Sequence, residues 1–142
     1  FDFVKVNNKS KDNPVFYVQY AYARINSVYK ILKLNLNNNI NLGKDKFEIN
    51  QYEVEILKKI SEWPKCVELS LSKLEPHRIP YYLYELVTLF HSYWNLGKEN
   101  KDFRFIPANG HLNKSRLVIL KALAIVIRNG MYILGVSTPK SM

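Results

Sequence analysis

The chain has 142 residues, of which 47% are hydrophobic and 23% charged, and its 21 Lys and Arg against 12 Asp and Glu leave a formal net charge of +9. This length supports one domain with a substantial core and excludes two, and the apolar-to-charged balance excludes a disordered chain. The charge points to a polyanionic partner, nucleic acid first and an anionic membrane second. The single cysteine, Cys66, excludes an internal disulfide, fits a reducing cytoplasm and reads as a small buried hydrophobe. No apolar run without Lys, Arg or His is long enough to span a bilayer, and no secretory leader is visible. Ten tyrosines form an unusual excess. Each offers a ring that can stack on a ring-bearing partner or fill a helical core.

In chain order, residues 1–11 read as a lead-in with a short apolar patch of Phe1, Phe3, Val4 and Val6. Because the chain opens on Phe1 rather than Met, it reads as a fragment, whereas the tail to Met142 reads as a natural end. Asn13 before Pro14 predicts a helix start, and Val18, Ala21, Ile25, Val28 and Leu32 carry that helix to about 33 at three- and four-residue spacing. Residues 34–47, rich in Asn and Lys with Gly43, predict a loop. A second helix is expected from about 50 to 62 with Val54, Leu57 and Ile60 inward. Trp63-Pro64 ends it and opens a third, to about 74, with Val67, Leu71 and Leu74 inward.

Pro76 separates that helix from one at 77–96, which is apolar nearly all round and is therefore expected at the centre. A loop at 97–113 contains a turn at 107–110 and precedes the last helix, from about 114 to 134. Leu117, Leu120, Ala124, Ile127, Met131 and Leu134 mark its buried face; Lys114, Lys121 and Arg128, seven apart, form a polar stripe that reads as a phosphate track or a solvated face. Asn129-Gly130 inside it predicts a bend or a close helix approach. No strand is expected, so the fold class is all-α, a bundle of about five helices.

The sharpest chemical pattern is in the first helix. Tyr17, Tyr20 and Arg24 sit at i, i+3 and i+7, within a strip about 60° wide at about 100° per residue. Two rings and a guanidinium on one strip can stack unpaired bases and hold phosphates; equally, the rings can cap the core while Arg24 snorkels to solvent. Trp94 is a further stacking candidate or a rim aromatic. Catalysis has little support. His77, His91 and His111 are scattered, a lone cysteine cannot build a thiolate metal site, and no phosphate loop or nucleophile elbow is present. No catalytic, cofactor-binding or metal residue is therefore assigned in this chain.

Three stretches together resemble the C-terminal part of arginyl-tRNA synthetases. The first is Lys11-x-Asn13-Pro14-x-x-Tyr17-Val18-Gln19-Tyr20-Ala21-Tyr22-Ala23-Arg24. The second runs from Leu74-Glu75-Pro76-His77-Arg78 to Phe90-His91-Ser92-Tyr93-Trp94-Asn95. The third runs from Arg116-Leu117 through Asn129-Gly130-Met131 to Leu134-Gly135-Val136-Ser137-Thr138-Pro139-Lys140-Ser141-Met142. There are departures: Tyr22 replaces the family's usual His, and no Ala-Leu-Arg-type sequence is evident around 70–78.

The resemblance implies a class Ia synthetase anticodon-binding domain at 13–142, with 1–12 the remnant of its junction with a catalytic domain. It implies an arginine–tRNA ligase parent that is cytoplasmic and uses ATP with Mg, while this chain binds the anticodon arm of arginine tRNA, holds no cofactor and charges nothing by itself. The class I catalytic signatures are absent and are expected upstream. Carried over by position, the tRNA contacts are Tyr17, Tyr20, Arg24, Trp94 and Met142. The partners implied are arginine tRNA and the catalytic domain of the same protein, with no membrane. The rival reading is a stand-alone basic helical nucleic-acid or protein-interaction module.

Overall fold

The computed structural model describes residues 13–42, 47–106 and 113–142. The lead-in patch, Gly43 and the turn at 107–110 lie outside them. Five α-helices and one 3-10 turn account for the described secondary structure: α1 Pro14–Ile31, α2 Gln51–Ser61, α3 Trp63–Ser72, α4 Arg78–Glu99, the turn Lys101–Phe103, and α5 Lys114–Ile133. Asparagine supplies the side-chain caps. Asn13 accepts from the Val15 and Phe16 N–H groups, Asn113 accepts from Arg116 N–H, and Asn50 forms a reciprocal capping box with Glu53. Residues read from the sequence mainly as loop formers thus also fix where the helices begin.

Three helices end in the same way. Lys33, Leu74 and Gly135 adopt left-handed φ angles of 55°, 54° and 69°. Leu34, Glu75 and Val136 N–H then reach back to the carbonyls of Tyr29, Ser70 and Met131 at 2.9 Å, the double-bonded C-terminal motif. Only one of the three uses glycine, so Lys33 and Leu74 carry the steric cost of their Cβ.

α4 is the central element, packing against α1, α2, α3 and α5. Leu83, Leu86, Val87 and Phe90 are buried on it, whereas Tyr81 and Tyr84 are exposed, so the helix is central as its apolar pattern predicts but is not covered all round. The stripe expected on α5 is buried from Leu117 to Met131. Gly130 allows close helix packing: a Cβ there would stand 2.8 Å from Leu83 Cδ2. Tyrosine hydroxyls tie the helices together. Tyr29 donates to Leu117 O at 2.7 Å, joining α1 to α5, and Tyr82 donates to Lys59 O at 2.6 Å, joining α4 to α2. Burial pushes the Tyr29 phenol up to about 12 and the Tyr82 phenol higher still, so both stay protonated donors.

Two expected faces are rotated. On α3, Leu71 is 76% exposed, whereas Trp63 and Cys66 pack against the core and Ser70 is buried; Leu74, expected on the same face, lies past the helix end at Ser72 and is 84% exposed. The short run carries apolar residues at both offsets, and docking against Tyr82 selects the Trp63 side. On α2 the deeply buried positions are Glu53 and Ile56, with Leu57 and Ile60 only partly covered. Hydrophobic spacing could not identify a face centred on a carboxylate.

Glu53, 1% exposed, is held by one hydrogen-bond network. Its Oε1 accepts Tyr93 O–H at 2.6 Å and Arg116 Nε–H at 2.7 Å, and its Oε2 accepts Asn50 N–H at 2.8 Å. Arg116 continues to Arg104 O at 2.9 Å, and Arg104 Nε to Gly97 O at 2.8 Å. Glu53→Ala should cost about 3–5 kcal/mol in urea unfolding, because it strands Arg116 in a protein environment. Leu74→Gly should raise stability by about 1 kcal/mol, read as a higher urea midpoint at unchanged slope.

Candidate nucleic-acid interface

α1 lies beside α4, and the sequence-predicted strip meets a second aromatic strip there. Tyr84, His91 and Trp94 occur at i, i+7 and i+10 on α4. The Tyr17 ring packs against His91 at 4.4 Å and Tyr84 at 5.5 Å, and the Tyr20 ring lies 5.7 Å from His91 at 23°. Phe16 extends the surface by stacking on Tyr20 at 6.2 Å.

Arg24 is the polar centre. Its guanidinium stands over the Tyr20 ring at 4.2 Å and the Trp94 ring at 4.9 Å. Nη2 donates to the Tyr20 hydroxyl at 2.9 Å and Nη1 to His91 Nδ1 at 3.1 Å. These bonds use two of its five N–H groups, and the side chain remains partly exposed. Arg24 is therefore fixed before any ligand arrives, with donors left over. The snorkelling alternative is not what the geometry shows: the guanidinium is held between two rings.

His91, passed over among the scattered histidines, makes this arrangement possible. It is 4% exposed, and its Nε2–H donates to Tyr17 O at 3.3 Å while its Nδ1 accepts from Arg24. Only a neutral ring protonated on Nε2 fills both roles. Burial is the largest cause holding its pKa down to about 4; the Tyr17 carbonyl pulls the other way and the Arg24 charge lowers it further. Burial also raises the Tyr17 phenol, and Tyr84 adds to that.

Trp94 is partly buried against Phe90 at 5.8 Å and Phe105 at 5.7 Å, so it acts as the wall behind Arg24 as much as a free ring. Four of the five candidate residues are thus brought together. Met142 is not among the residues of this cluster. Gln19 Nε2 holds Ser137 O at 2.9 Å, and Lys140 and Ser141 then run beside Tyr22 and Asn26 on the other flank of α1. Met142 ends that tail, 53% exposed. The Lys114, Lys121 and Arg128 stripe borders the asparagine-rich segment, where Lys121 Nζ donates to Asn38 O at 2.8 Å. Among the described residues no group of three His, Cys, Asp or Glu is placed to hold a metal ion, and no helix is long and apolar enough to cross a membrane.

His91 gives the fold a pH dependence of definite sign. The unfolded imidazole binds a proton below about 6.5 and the folded one only below about 4, so the unfolded state binds more protons between those values. Stability is complete above pH 6.5 and is lost as pH falls through that window, by up to about 3 kcal/mol. Urea midpoints at pH 7, 5.5 and 4.5 should fall faster in the wild type than in His91→Gln; parallel falls would remove His91 as the cause.

Comparison with known proteins identifies the family of the chain. Residues 18–142 match the family model described as the DALR anticodon binding domain. The chain is 54% identical over 142 residues to an arginine–tRNA ligase of Pelagibacter ubique, and 41% identical over 148 aligned positions to that of Rhizobium meliloti. In each case all of this chain aligns with 25% of the relative, so it spans a quarter of their length. A crystal structure from Campylobacter jejuni assigned as an arginyl-tRNA synthetase superposes on the whole chain with a TM-score of 0.82 at 24% identity, using 29% of that structure, which establishes the shared fold. With a family model covering nearly all of its helical body, the chain belongs to the DALR anticodon binding domain family.

Proposed function

We propose that this chain grips the anticodon arm of arginine tRNA and is the C-terminal part of an arginine–tRNA ligase. Residues 1–12 form the junction with a catalytic domain that consumes ATP with Mg in the cytoplasm; the module described here performs no reaction itself. The observation that carries this reading is the preorganised Arg24, clasped by Tyr20, His91 and Trp94 at the edge of an aromatic surface. Holding the guanidinium before binding removes most of the ordering cost that a long side chain otherwise incurs on association.

The chemistry follows from these parts. Bases splayed out of the anticodon loop stack on the exposed faces of the Phe16, Tyr17 and Tyr20 group, and the remaining Arg24 donors meet a phosphate or a base edge. The net charge of +9 adds sequence-independent attraction that weakens with salt. Positioning the arm in this way presents the distant acceptor end to the catalytic domain. Met142 contributes from the tail as a separate contact.

Fluorescence titration of the chain with arginine tRNA tests this directly. Tyr20→Ala and Arg24→Ala should each weaken binding by about tenfold or more, since a stacked base is worth about 1–3 kcal/mol. An arginine tRNA carrying a swapped anticodon should bind markedly more weakly, and equal affinity would sink the recognition claim. The rival, a general basic interaction module, predicts no effect of either substitution and abolition of binding by moderate salt.

A further inference from the structure

The described carboxylates are segregated. Every described Asp or Glu lies between Glu48 and Asp102, whereas α1, the segment 32–42, α5 and the tail contain none. On the acidic side three cations are ion-paired, Lys58 with Glu55, Lys59 with Glu62 and Glu85, and Arg78 with Glu75, while Lys65, Lys73, Lys98 and Lys101 pair with no described carboxylate but stand scattered among acidic residues. The acid-free side holds a groove of about 600 Å³ at the C-terminal end of α1. Lys30 and Lys33 enter it from α1 and its cap, Arg128 from α5 and Lys140 from the tail. Asn26, Asn35 and Asn37 add amides, and no carboxylate lines it among the described residues. All four cations are exposed, and none pairs with a described carboxylate.

This grouping differs from the stripe read in the sequence. Arg128 works with cations from other segments, while Lys121 is committed to Asn38 O and lines the adjoining hollow with Tyr22, Leu36 and Asn37. Four unpaired cations that converge on a concave, amide-lined surface concentrate positive potential more than a flat solvated face does. The amides supply neutral donors that suit phosphate and ribose oxygens.

We propose that this groove binds the sugar–phosphate backbone of an RNA strand, on the flank of α1 opposite the one that carries Tyr17, Tyr20 and Arg24. It deepens the tRNA reading and rests on it. Arg24 and Lys30 are about 9 Å apart along the helix axis, so a strand of a few nucleotides that lays bases on the aromatic flank reaches the groove by crossing α1. One helix then separates two tasks: stacking and edge contacts on one side, charge neutralisation on the other. The tail pinned by Gln19 forms the groove's outer wall and brings Lys140 into it.

The test is a salt series of tRNA titrations on the chain, using an unmodified arginine tRNA transcript. Lys30→Gln/Lys33→Gln/Arg128→Gln/Lys140→Gln should bind at least tenfold more weakly at low salt. Its plot of log affinity against log salt should be shallower by about three, the change expected for four lost single-strand phosphate contacts. A control with the same charge change elsewhere, Lys65→Gln/Lys73→Gln/Lys98→Gln/Lys101→Gln, should keep most of the slope. The pair Lys33→Gln/Lys140→Gln, both outside the helices, should lower the slope by about half as much and guards against misfolding of the fourfold variant. An unchanged slope in both groove variants, or an equal loss in the control, overturns the groove. If the groove variants lose slope but the wild type does not discriminate a swapped anticodon, the groove stands and the anticodon reading fails. If discrimination persists with unchanged slope, the groove fails alone.

Discussion

A buried carboxylate sets the terms for this bundle. Glu53 lies at the junction of α2, α4 and α5, nearly out of reach of solvent, and charged oxygens in that position are costly unless every lone pair is engaged. Asn50, Tyr93 and Arg116 engage them, and each comes from a different part of the chain. The same side chain closes the capping box of α2, so one residue fixes where that helix starts and which face it turns inward. Arg116 passes the constraint to Arg104 and so to the C-terminal end of α4. The network costs more to break than it contributes net, and its physical role is uniqueness: apolar contacts tolerate a slide or a rotation, whereas this set of hydrogen bonds permits a single docking.

The candidate interface is built on the same economy. α4 supplies the rigid wall, and α1 lies against it with the small Ala21 buried in the core between larger residues. His91 is the counterpart of Glu53 at this end: a buried polar group with both ring nitrogens satisfied, one by a backbone carbonyl and one by the Arg24 guanidinium. It stays neutral because it is buried, and because it is neutral it can accept from Arg24 instead of repelling it. For the proposed contact with a flexible nucleic-acid loop such prior ordering is an advantage, since the ligand then bears most of the entropic cost.

Charge segregation adds a second level of organisation. Ion pairs on α2, α3 and α4 neutralise that side locally, and exposed pairs of this kind contribute little to stability. Their larger effect is to leave the net positive charge concentrated on α1, α5 and the tail. The molecule is therefore not uniformly basic. Its field is directed toward the elements that carry the aromatic strip and the groove.

The sequence by itself determined the helical class, the order and approximate limits of five helices, the central position of α4 and the buried stripe of α5. Those features follow from periodicity over long segments, where 3.6-residue spacing is statistically decisive, and from Asn and Pro at helix starts. It also determined that Tyr17, Tyr20 and Arg24 share one strip, because that depends only on helical geometry. Tertiary structure decided what spacing cannot encode. It rotated the faces of α2 and α3, whose ten or eleven residues offer two nearly equivalent apolar stripes and, in α2, a buried glutamate that reads as surface. It chose His91 and Trp94 as the partners of Arg24, joined Lys30, Lys33, Arg128 and Lys140 from three segments, and laid Lys140 and Ser141 of the tail beside the other flank of α1. Each of these depends on how distant elements dock, and docking is settled by packing and by satisfying buried polar groups across the whole fold.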